Sequence, residues 1–438
     1  MDELSVPAAE KKLVRALGVP ALTANIVNST VGAGIFVLPA LVAKGLGPAS
    51  PLAFVICALA MVLFVTCFAI AGSRVSLTGG LYAYVEVAFG RYIGFLAGVL
   101  YAITAISAVA GVGNVLVDSV AGLFPSLGNV IVRIFLMFLV YGFLALINIR
   151  SVRAGAGAVG AVTAAKLLPL LVFVAVGIFF LHPANFVWNA PPRSKDVADA
   201  VLRLLFAFVG IEVALIPSGE VKHAIRTVPR AIYLSLAITT VLYLLIQVVA
   251  QGTLGNALGD YPNTPLAEAA SHFLGNAGRA LLIVGATISA FGFITSDILS
   301  SPRMLFAMGR DGILPRWFAH VHPRYHSPDA AILIYSAVAF LLSVSSSFEG
   351  LVVLSNVAVL LMYLFCFAGV WPLIRRGPSS GGKALSFPGM PIIPAFAIAA
   401  ILWLFWLTQP WDKIIRIVVL LVGASVLYLA RMKFRRPV

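Results

Sequence analysis

The chain has 438 residues, of which 61% are hydrophobic and only 11% are charged. Soluble proteins carry about 25% charged residues, so the composition excludes a water-soluble multidomain enzyme, a disordered chain and a nucleic-acid-binding protein. The formal net charge of +14 arises from basic residues that lie in short clusters between apolar runs. That arrangement is typical of membrane topology signals. We therefore expect an integral membrane protein that contacts membrane lipid and binds no nucleic acid.

Twelve apolar segments are long enough to cross a bilayer, for which a helix needs about 20 residues. They are predicted at residues 20–41, 51–73, 92–121, 130–149, 154–181, 200–217, 231–251, 280–302, 330–347, 350–372, 392–409 and 414–430. With the N-terminus inside, 21 of the 30 Lys and Arg residues fall on the inner side, eight fall on the outer side and Lys166 lies mid-membrane. This excess predicts a multi-pass protein of the cell membrane with both termini in the cytoplasm. The short loops favour a prokaryotic inner membrane.

The spans divide the chain into four sections. Residues 1–19 form a cytoplasmic tail, residues 20–181 and 200–372 each contain five helices, and residues 373–438 contain two further helices and the cytoplasmic C-terminus. Five is an odd number, so a second five-helix repeat would be inverted relative to the first. The expected fold is therefore all-α, with 12 transmembrane helices, a 5+5 inverted repeat and two additional C-terminal helices.

The first predicted helix contains a polar, glycine-rich stretch that begins at Asn25 and ends at Phe36. Within it Asn28, Ser29 and Thr30 are followed by Gly32, Ala33 and Gly34. Unwound backbone is tolerated at this depth only where it lines a cavity or is buried in protein. We expect the helix to unwind here, with close helix packing through small residues as the alternative.

The sixth predicted helix is short, and it carries Gly210 and Glu212 before it reaches Pro217. It opens the second repeat, as the glycine-rich helix opens the first. A matched pair of interrupted helices in two inverted repeats indicates a transporter site near the bilayer midplane. The sequence therefore predicts that helices 1 and 6 are broken at a shared binding site.

Lys166 and Glu212 are predicted to lie inside the membrane. Like Gly32, each is about 12 residues into its span, which corresponds to about 18 Å of helix. Charged side chains at that depth are costly and mark functional sites by default. All three residues are therefore predicted to lie near the midplane of the bilayer.

Three motifs in this order resemble those of the amino acid–polyamine–organocation (APC) family of permeases. They are Gly32 to Phe36 with Leu38 and Pro39; Phe206 to Glu212 with Gly219 to Lys222 and Thr227 to Ile232; and Pro302 to Pro315 with His322, Pro323 and Pro328. The resemblance covers nearly the whole chain. It implies a LeuT-like fold and transport of amino acids or related amines.

The resemblance also implies how a zwitterion would bind. The carboxylate suits the backbone N–H groups of Gly32, Ala33 and Gly34, because a half-helix end attracts anions and glycine permits close approach. The ammonium suits carbonyl groups of the unwound helix 6 around Phe206 and Val209. Phe206 matches an aromatic gate of the family, with ordinary core packing as the alternative. The predicted substrate-binding residues are Ser29, Gly32, Ala33, Gly34, Phe206, Val209, Gly210 and Asp297.

Lys166 and Glu212 are the predicted coupling residues. By the resemblance, Lys166 stands where sodium-coupled relatives bind an ion, so no sodium is expected. Lys166 either gains and loses a proton during transport or stays charged and braces helix 5 against the carbonyl groups of helix 1. Glu212 either couples protons or hydrogen-bonds helix ends as a neutral acid.

Asp297 falls where helix 8 approaches the substrate in the family. Its carboxylate could pair with a basic side chain or a polyamine, serve as a proton site, or cap a helix nearer the cytoplasm. The charged loops at Glu220 to Lys222 and at Arg303 to Asp311 form either a cytoplasmic gate or topogenic surface.

These patterns predict a secondary active transporter of amino acids that is sodium-independent, proton-coupled and works by alternating access. The alternatives are an amino acid or amino acid/polyamine exchanger and, from another class, a substrate sensor with a transporter fold. An enzyme is disfavoured because no histidine lies mid-span. Neither a cofactor nor a metal is expected, and Cys57, Cys67 and Cys366 are interpreted as buried residues without disulfides.

Overall fold

The computed structural model describes residues 18–75, 81–150, 158–188, 190–212, 221, 224–310, 314–325, 327–376 and 384–434. Within these residues the chain forms fifteen α-helices, joined by short turns and 3-10 segments. They are α1 (Val19–Thr30), α2 (Leu38–Leu46), α3 (Ser50–Gly72), α4 (Leu81–Phe89), α5 (Arg91–Leu123), α6 (Val130–Arg150), α7 (Ala158–Gly177), α8 (Ser194–Phe208), α9 (Ala224–Leu254), α10 (Pro265–Ser300), α11 (Pro302–Arg310), α12 (Asp329–Ser345), α13 (Phe348–Arg376), α14 (Ile393–Thr408) and α15 (Trp411–Phe434).

Eight segments of the described chain are long and apolar enough to cross a membrane. They are Leu38–Gly72, Arg91–Gly122, Val130–Arg150, Arg226–Asp260, Pro265–Phe306, Phe348–Arg376, Met390–Thr408 and Trp411–Ala430, with shorter apolar helices at Ala165–Phe180 and Asp329–Ser345. The predicted all-α class is confirmed, as are helices capable of spanning a bilayer. The three cysteines are buried and free, as the sequence indicates.

The first predicted span is two helices rather than one. Helix α1 ends at Thr30, Gly32 is extended (φ −100°, ψ −166°), and a 3-10 turn over Ala33–Phe36 leads to α2 at Leu38. Gly32 follows a run of side chains that favour helix ends and turns more than helix interiors. The predicted break in this helix is therefore confirmed.

The predicted start of the sixth span is wrong, because helix α8 begins at Ser194 instead of residue 200. Helix α8 ends at Phe208, and the predicted end of the span at residue 217 lies outside the described residues. Its first turn is polar and includes Lys195 and Asp196, so a search for apolar spans starts too late. Its end is set by Val209, which is extended, and Gly210, whose φ of 108° is outside the helical region.

Three helical segments were missed because a count of apolar spans does not detect them. The first is the short helix α4, and the second is the start of α10, which begins at Pro265 although the predicted span starts at residue 280. The third is α11, which occupies most of the segment from Arg303 to Asp311 that was predicted as a loop. Gly275 has a φ of 62° and kinks α10 between the two parts. The segment before this kink is too short and too polar to cross a bilayer.

Helices α5, α10 and α13 form the centre of the bundle, and α9 packs against both α1 and α3. Phe64 and Phe68 of α3 stack with Tyr363 and Phe367 of α13, with ring centroids 4.9–5.9 Å apart. Helix α15 exposes apolar side chains along its length, such as Val419 at 64%. An apolar surface of this kind is what a lipid-facing helix requires.

Candidate functional site

The break between α1 and α2 leaves carbonyl groups without partners in their own helix. The amide of Val31 bonds to the carbonyl of Val27 at 2.9 Å, and the amide of Gly32 turns back to the carbonyl of Thr30 at 2.8 Å. The chain then leaves the helical path, so the last carbonyl groups of α1 have no amide one turn ahead. These groups carry the negative end of the helix dipole.

Lys166 of α7 contacts this carbonyl end. Its Nζ donates a hydrogen bond to the carbonyl oxygen of Asn28 at 2.5 Å, and the side chain is buried with 8% exposure. A cation at a helix C-terminus is favourable because it opposes the dipole. Lys166 therefore joins α7 to the end of α1 at the first break.

The break at the end of α8 is closed by an acidic side chain. The amide of Val209 bonds to the carbonyl of Leu205 at 3.0 Å, and the next amide, of Gly210, donates to Oε2 of Glu212 at 3.0 Å. Glu212 is buried with 8% exposure. The Tyr363 hydroxyl of α13 faces its carboxyl group, although the Tyr363 oxygen makes no hydrogen bond of ordinary geometry among the described residues.

The two breaks touch each other. A Cβ added to Gly210 would lie 2.9 Å from the carbonyl oxygen of Ser29, so only glycine fits without displacing α1. The Tyr243 hydroxyl of α9 lies 2.9 Å from the carbonyl oxygen of Thr30 and 3.0 Å from that of Ala207. One hydroxyl proton is therefore shared between the ends of α1 and α8.

Tyr243 was missed by the sequence analysis, although a signal for it exists. It belongs to a row of polar side chains on α9 at intervals of four residues, which places them on one helix face. All five members are fully buried: Ser235, Thr239, Tyr243, Gln247 and Gln251. A row of this kind inside an apolar helix indicates contact with exposed backbone groups of other segments.

Other members of this row make such contacts. Ser235 donates to the carbonyl of Thr23 at 3.3 Å, and Gln251 donates to the carbonyl of Asn185 at 3.3 Å. Both amide atoms of Gln247 lack a hydrogen-bond partner among the described residues. Of this row, Tyr243 contacts the first break itself, and Ser235 and Gln251 contact backbone on either side of it along α9.

Phe206 covers the glycine-rich turn. A Cβ added to Gly34 would lie 3.0 Å from Cδ1 of Phe206, so the ring rests on the glycine. Phe206 also meets Phe348 of α13 edge to face, with centroids 5.9 Å apart. One turn before Phe206, both Nε and Nη2 of Arg203 donate to Oε1 of Glu349, at 3.0 and 2.7 Å. An aromatic pair and an ion pair therefore hold α8 against α13.

Asp297 lies one turn from the glycine-rich break. Phe293 Cδ2 is 4.0 Å from the position of a Cβ added to Gly32, and Asp297 follows Phe293 by four residues on α10. The Tyr335 hydroxyl of α12 donates to Asp297 Oδ2, and the Ser301 hydroxyl donates to Oδ1 at 2.8 Å. Phe293, Tyr335 and Ser301 were not among the predicted site residues.

The structure thus brings the predicted residues of helices 1 and 6 together with Lys166 and Glu212, while Asp297 is held in the contact between α10 and α12. Of the two predicted gate loops, Glu220, Lys222 and Asp311 lie outside the described residues, whereas Arg303 to Arg310 are part of helix α11. No group of three His, Cys, Asp or Glu residues in the described chain could hold a metal ion. The arrangement offers backbone donors and acceptors together with one buried amine and one buried carboxyl group.

The chain matches a family model and several known proteins. A family model described as amino acid permease matches residues 17–427. The chain is 26% identical to the branched-chain amino acid permease BcaP of Bacillus subtilis over 98% of this chain and 95% of that protein. It is 28% identical to the serine/threonine exchanger SteT of the same species over 85% and 86%. It is 30% identical to the human cationic amino acid transporter 4 over 86% of this chain and 63% of that protein.

Proposed function

The chain belongs to the amino acid permease family, and we propose that it moves amino acids across the cell membrane as a sodium-independent, proton-coupled secondary transporter. The relatives named above are permeases, exchangers and transporters of amino acids. The observation that carries the proposal is the contact of Lys166 with the broken end of α1. It puts a fixed ammonium group against the carbonyl groups at the first break.

We also propose the 12-span, 5+5 inverted arrangement with both termini in the cytoplasm. In this arrangement the first repeat has five spans: α1 together with α2, then α3, α5, α6 and α7. The second repeat also has five spans: α8 with the chain that follows it, then α9, α10, α12 and α13. Two spans, α14 and α15, are additional. Support comes from the two breaks, which follow α1 and α8, the helices that would open the first and the second repeat.

The proposed substrate site is the space that opens when Phe206 moves off the glycine-rich turn. The amides of Gly32, Ala33 and Gly34 would then bind the substrate carboxylate. Carbonyl groups near Val209 would bind its ammonium. The glycines support this assignment because a ligand can approach their backbone without meeting a side chain.

Lys166 accounts for both coupling and sodium independence. Its ammonium supplies the positive charge that a bound sodium ion would otherwise bring to the end of α1, so sodium has no role there. Loss of its proton would remove the positive charge and leave only the weaker hydrogen bond of a neutral amine to Asn28, which would loosen the end of α1. Coupling then follows, because the protonation of Lys166 would determine whether α1 is held.

Alternating access requires a closure on each side of the site. On the predicted outer side, the pairs Arg203–Glu349 and Phe206–Phe348 join α8 to α13. Separation of these two pairs would open a path to the glycine-rich turn. We infer that the structure is closed on the predicted outer side.

The test is uptake of radiolabelled amino acids by the purified protein in proteoliposomes. Uptake is measured with and without an inward proton gradient, in sodium and in choline buffers, and with or without unlabelled amino acid inside. Accumulation that follows the proton gradient and is unchanged in choline buffer is expected. Accumulation that requires sodium would refute the proposal.

An exchanger is the second candidate, because the relative SteT is an exchanger. An exchanger uses the same binding site, but it changes conformation only with an amino acid bound, in the inward and in the outward direction. In the same assay, flux that requires internal amino acid and ignores the proton gradient would establish exchange. Lys166 would then be a structural contact between α7 and α1.

A further inference from the structure

Asp297 is placed where the side chain of a bound amino acid would reach it. Phe293 touches the glycine-rich break at Gly32, and Asp297 is four residues further along α10. Four residues are about one helical turn, or about 5.4 Å. A substrate whose carboxylate and ammonium bind at the break can therefore extend a side chain of several atoms to Asp297.

The partners of Asp297 fix its position but do not balance its charge. Tyr335 donates to one carboxylate oxygen and Ser301 donates to the other. Among the described residues, no hydrogen bond or ion pair joins Asp297 to a lysine or an arginine. A carboxylate has about four acceptor sites, so two hydroxyl donors leave room for an ammonium or guanidinium group.

The other two ionisable side chains at the breaks have partners of their own. Lys166 is bound to the carbonyl of Asn28, and Glu212 is bound to the amide of Gly210. Neither of them occupies the acceptor sites that remain on Asp297.

We propose that Asp297 is a specificity-determining residue that pairs with the cationic side chain of the substrate. The favoured substrates are then amino acids with a terminal ammonium or guanidinium group, such as lysine, ornithine and arginine. This inference rests on the proposed function, because it needs the substrate backbone to bind at the α1–α2 break. It names the substrate class of that same site.

The first experiment compares matched substrates of the wild-type protein in proteoliposomes. Norleucine has the four-carbon side chain of lysine without its ammonium group, and citrulline is a neutral counterpart of arginine. Wild-type protein is expected to take up lysine and arginine with KM values about tenfold or more below those of the neutral counterparts. Equal KM values within each pair, or preference for norleucine, would overturn the inference but leave amino acid transport intact. Absence of both flux and binding for every amino acid would refute the proposed function itself.

The second experiment compares Asp297→Asn with Asp412→Asn, which removes a carboxylate from an exposed ion pair on α15. In Asp297→Asn the KM for lysine should rise about tenfold or more, while that for norleucine stays unchanged. In Asp412→Asn both should stay at the wild-type values. Retained preference for lysine in Asp297→Asn, together with loss of proton-driven accumulation, would make Asp297 a proton site and overturn the inference.

Tyr335→Phe keeps the result interpretable if Asp297→Asn does not fold. It preserves the carboxylate but removes one neutral donor, so the preference for lysine over norleucine should persist or increase. Tyr92→Phe, which removes an exposed hydroxyl bonded to Ser425, is the matched control. Loss of the preference in Tyr335→Phe but not in Tyr92→Phe, with norleucine uptake intact, would show that the hydroxyl rather than the carboxylate selects the side chain.

Discussion

The breaks at the ends of α1 and α8 are stabilised by ionisable side chains of different kinds, a basic one at the first and an acidic one at the second. At the first break, a carbonyl group accepts from Lys166, which reaches across from α7. At the second, an amide donates to Glu212, which lies two residues further along the same chain. The first closure joins two helices, whereas the second is local to its own segment.

This difference indicates that the two breaks play different parts. Movement of α7 relative to α1 must disrupt the Lys166 contact. The conformation of the first break is therefore linked to the position of α7 in the bundle. The Gly210–Glu212 contact can move with α8 as a unit. We therefore expect coupling to depend mainly on the first break and rigidity of the site to depend on the second.

The largest effect is expected for Lys166→Ala. The change removes the only charge that contacts the end of α1 within the described residues and leaves a buried carbonyl unpaired, at a cost of about 1–3 kcal/mol. Accumulation driven by a proton gradient should fall to background, while binding, measured as thermal stabilisation by amino acid, stays detectable. Lys44→Ala, at an exposed position on α2, is the control and should accumulate normally. Proton-driven accumulation that survives in Lys166→Ala would remove the coupling role from the first break.

Gly210→Ala is expected to have the next largest effect. Gly210 has a φ of 108°, and the new Cβ would lie 2.9 Å from the carbonyl oxygen of Ser29. A strained conformation of this kind costs about 1–3 kcal/mol, and here a backbone clash adds to it. Transport should fall more than about tenfold, with a lower Tm of the purified protein.

Gly389→Ala is the control for Gly210→Ala, because it distinguishes the effect of backbone strain from the effect of a clash between the two breaks. Gly389 also has a positive φ, of 81°, but nothing lies within 4 Å of an added Cβ. It should lower the Tm without reducing transport per folded molecule. Equal transport defects in the two alanine variants would mean that the contact between the breaks is not needed for function.

Tyr243→Phe is expected to have an intermediate effect on both breaks at once. It removes one shared hydroxyl proton and leaves the carbonyl groups of Thr30 and Ala207 without this donor, which should cost about 1–3 kcal/mol of unfolding free energy. Transport should fall several-fold. Chemical or thermal unfolding with parallel uptake measurements provides the check, with Tyr92→Phe as the exposed control. A stability equal to wild type would show that other donors replace the hydroxyl.

The smallest effect is expected at the outer pair, Arg203–Glu349. Arg203 and Glu349 are 27% and 47% exposed, and ion pairs of this kind contribute about 0.2–1 kcal/mol. Arg203→Glu should shift the protein towards an outward-open state, measured by thiol labelling in a Gly32→Cys background, where an added Cβ meets nothing closer than 4.0 Å. The double variant Arg203→Glu, Glu349→Arg should restore the wild-type labelling rate. Failure of the double variant to do so would show that the aromatic pair alone closes this side.

The sequence predicts the first break well because its cause is local. Gly32 follows side chains that favour helix ends, and Lys166 interrupts an apolar run, so both are visible without the fold. The start of α8 was not predictable by the same rule, because its first turn is amphipathic and contains Lys195 and Asp196. Search rules based on apolar length find spans and overlook polar turns at their ends.

Long-range contacts explain the rest of what was missed. The carbonyl partners of Tyr243 lie 213 and 36 residues away in the chain. Asp297 was identified as a site residue, but its partner Tyr335 depends on how α10 packs against α12. Such pairs are set by tertiary packing and leave no local pattern at either residue.

The hydroxyl of Tyr243 has a consequence for the kinetics of the transport cycle. One proton faces two carbonyl oxygens at nearly equal distances, 2.9 and 3.0 Å. When α1 moves away, the Tyr243 hydroxyl can still donate to the carbonyl of Ala207 at the end of α8. When α8 moves away, it can still donate to the carbonyl of Thr30 at the end of α1. The hydroxyl then keeps one acceptor during either motion, so neither motion leaves it unpaired and the exchange of partners favours neither conformation.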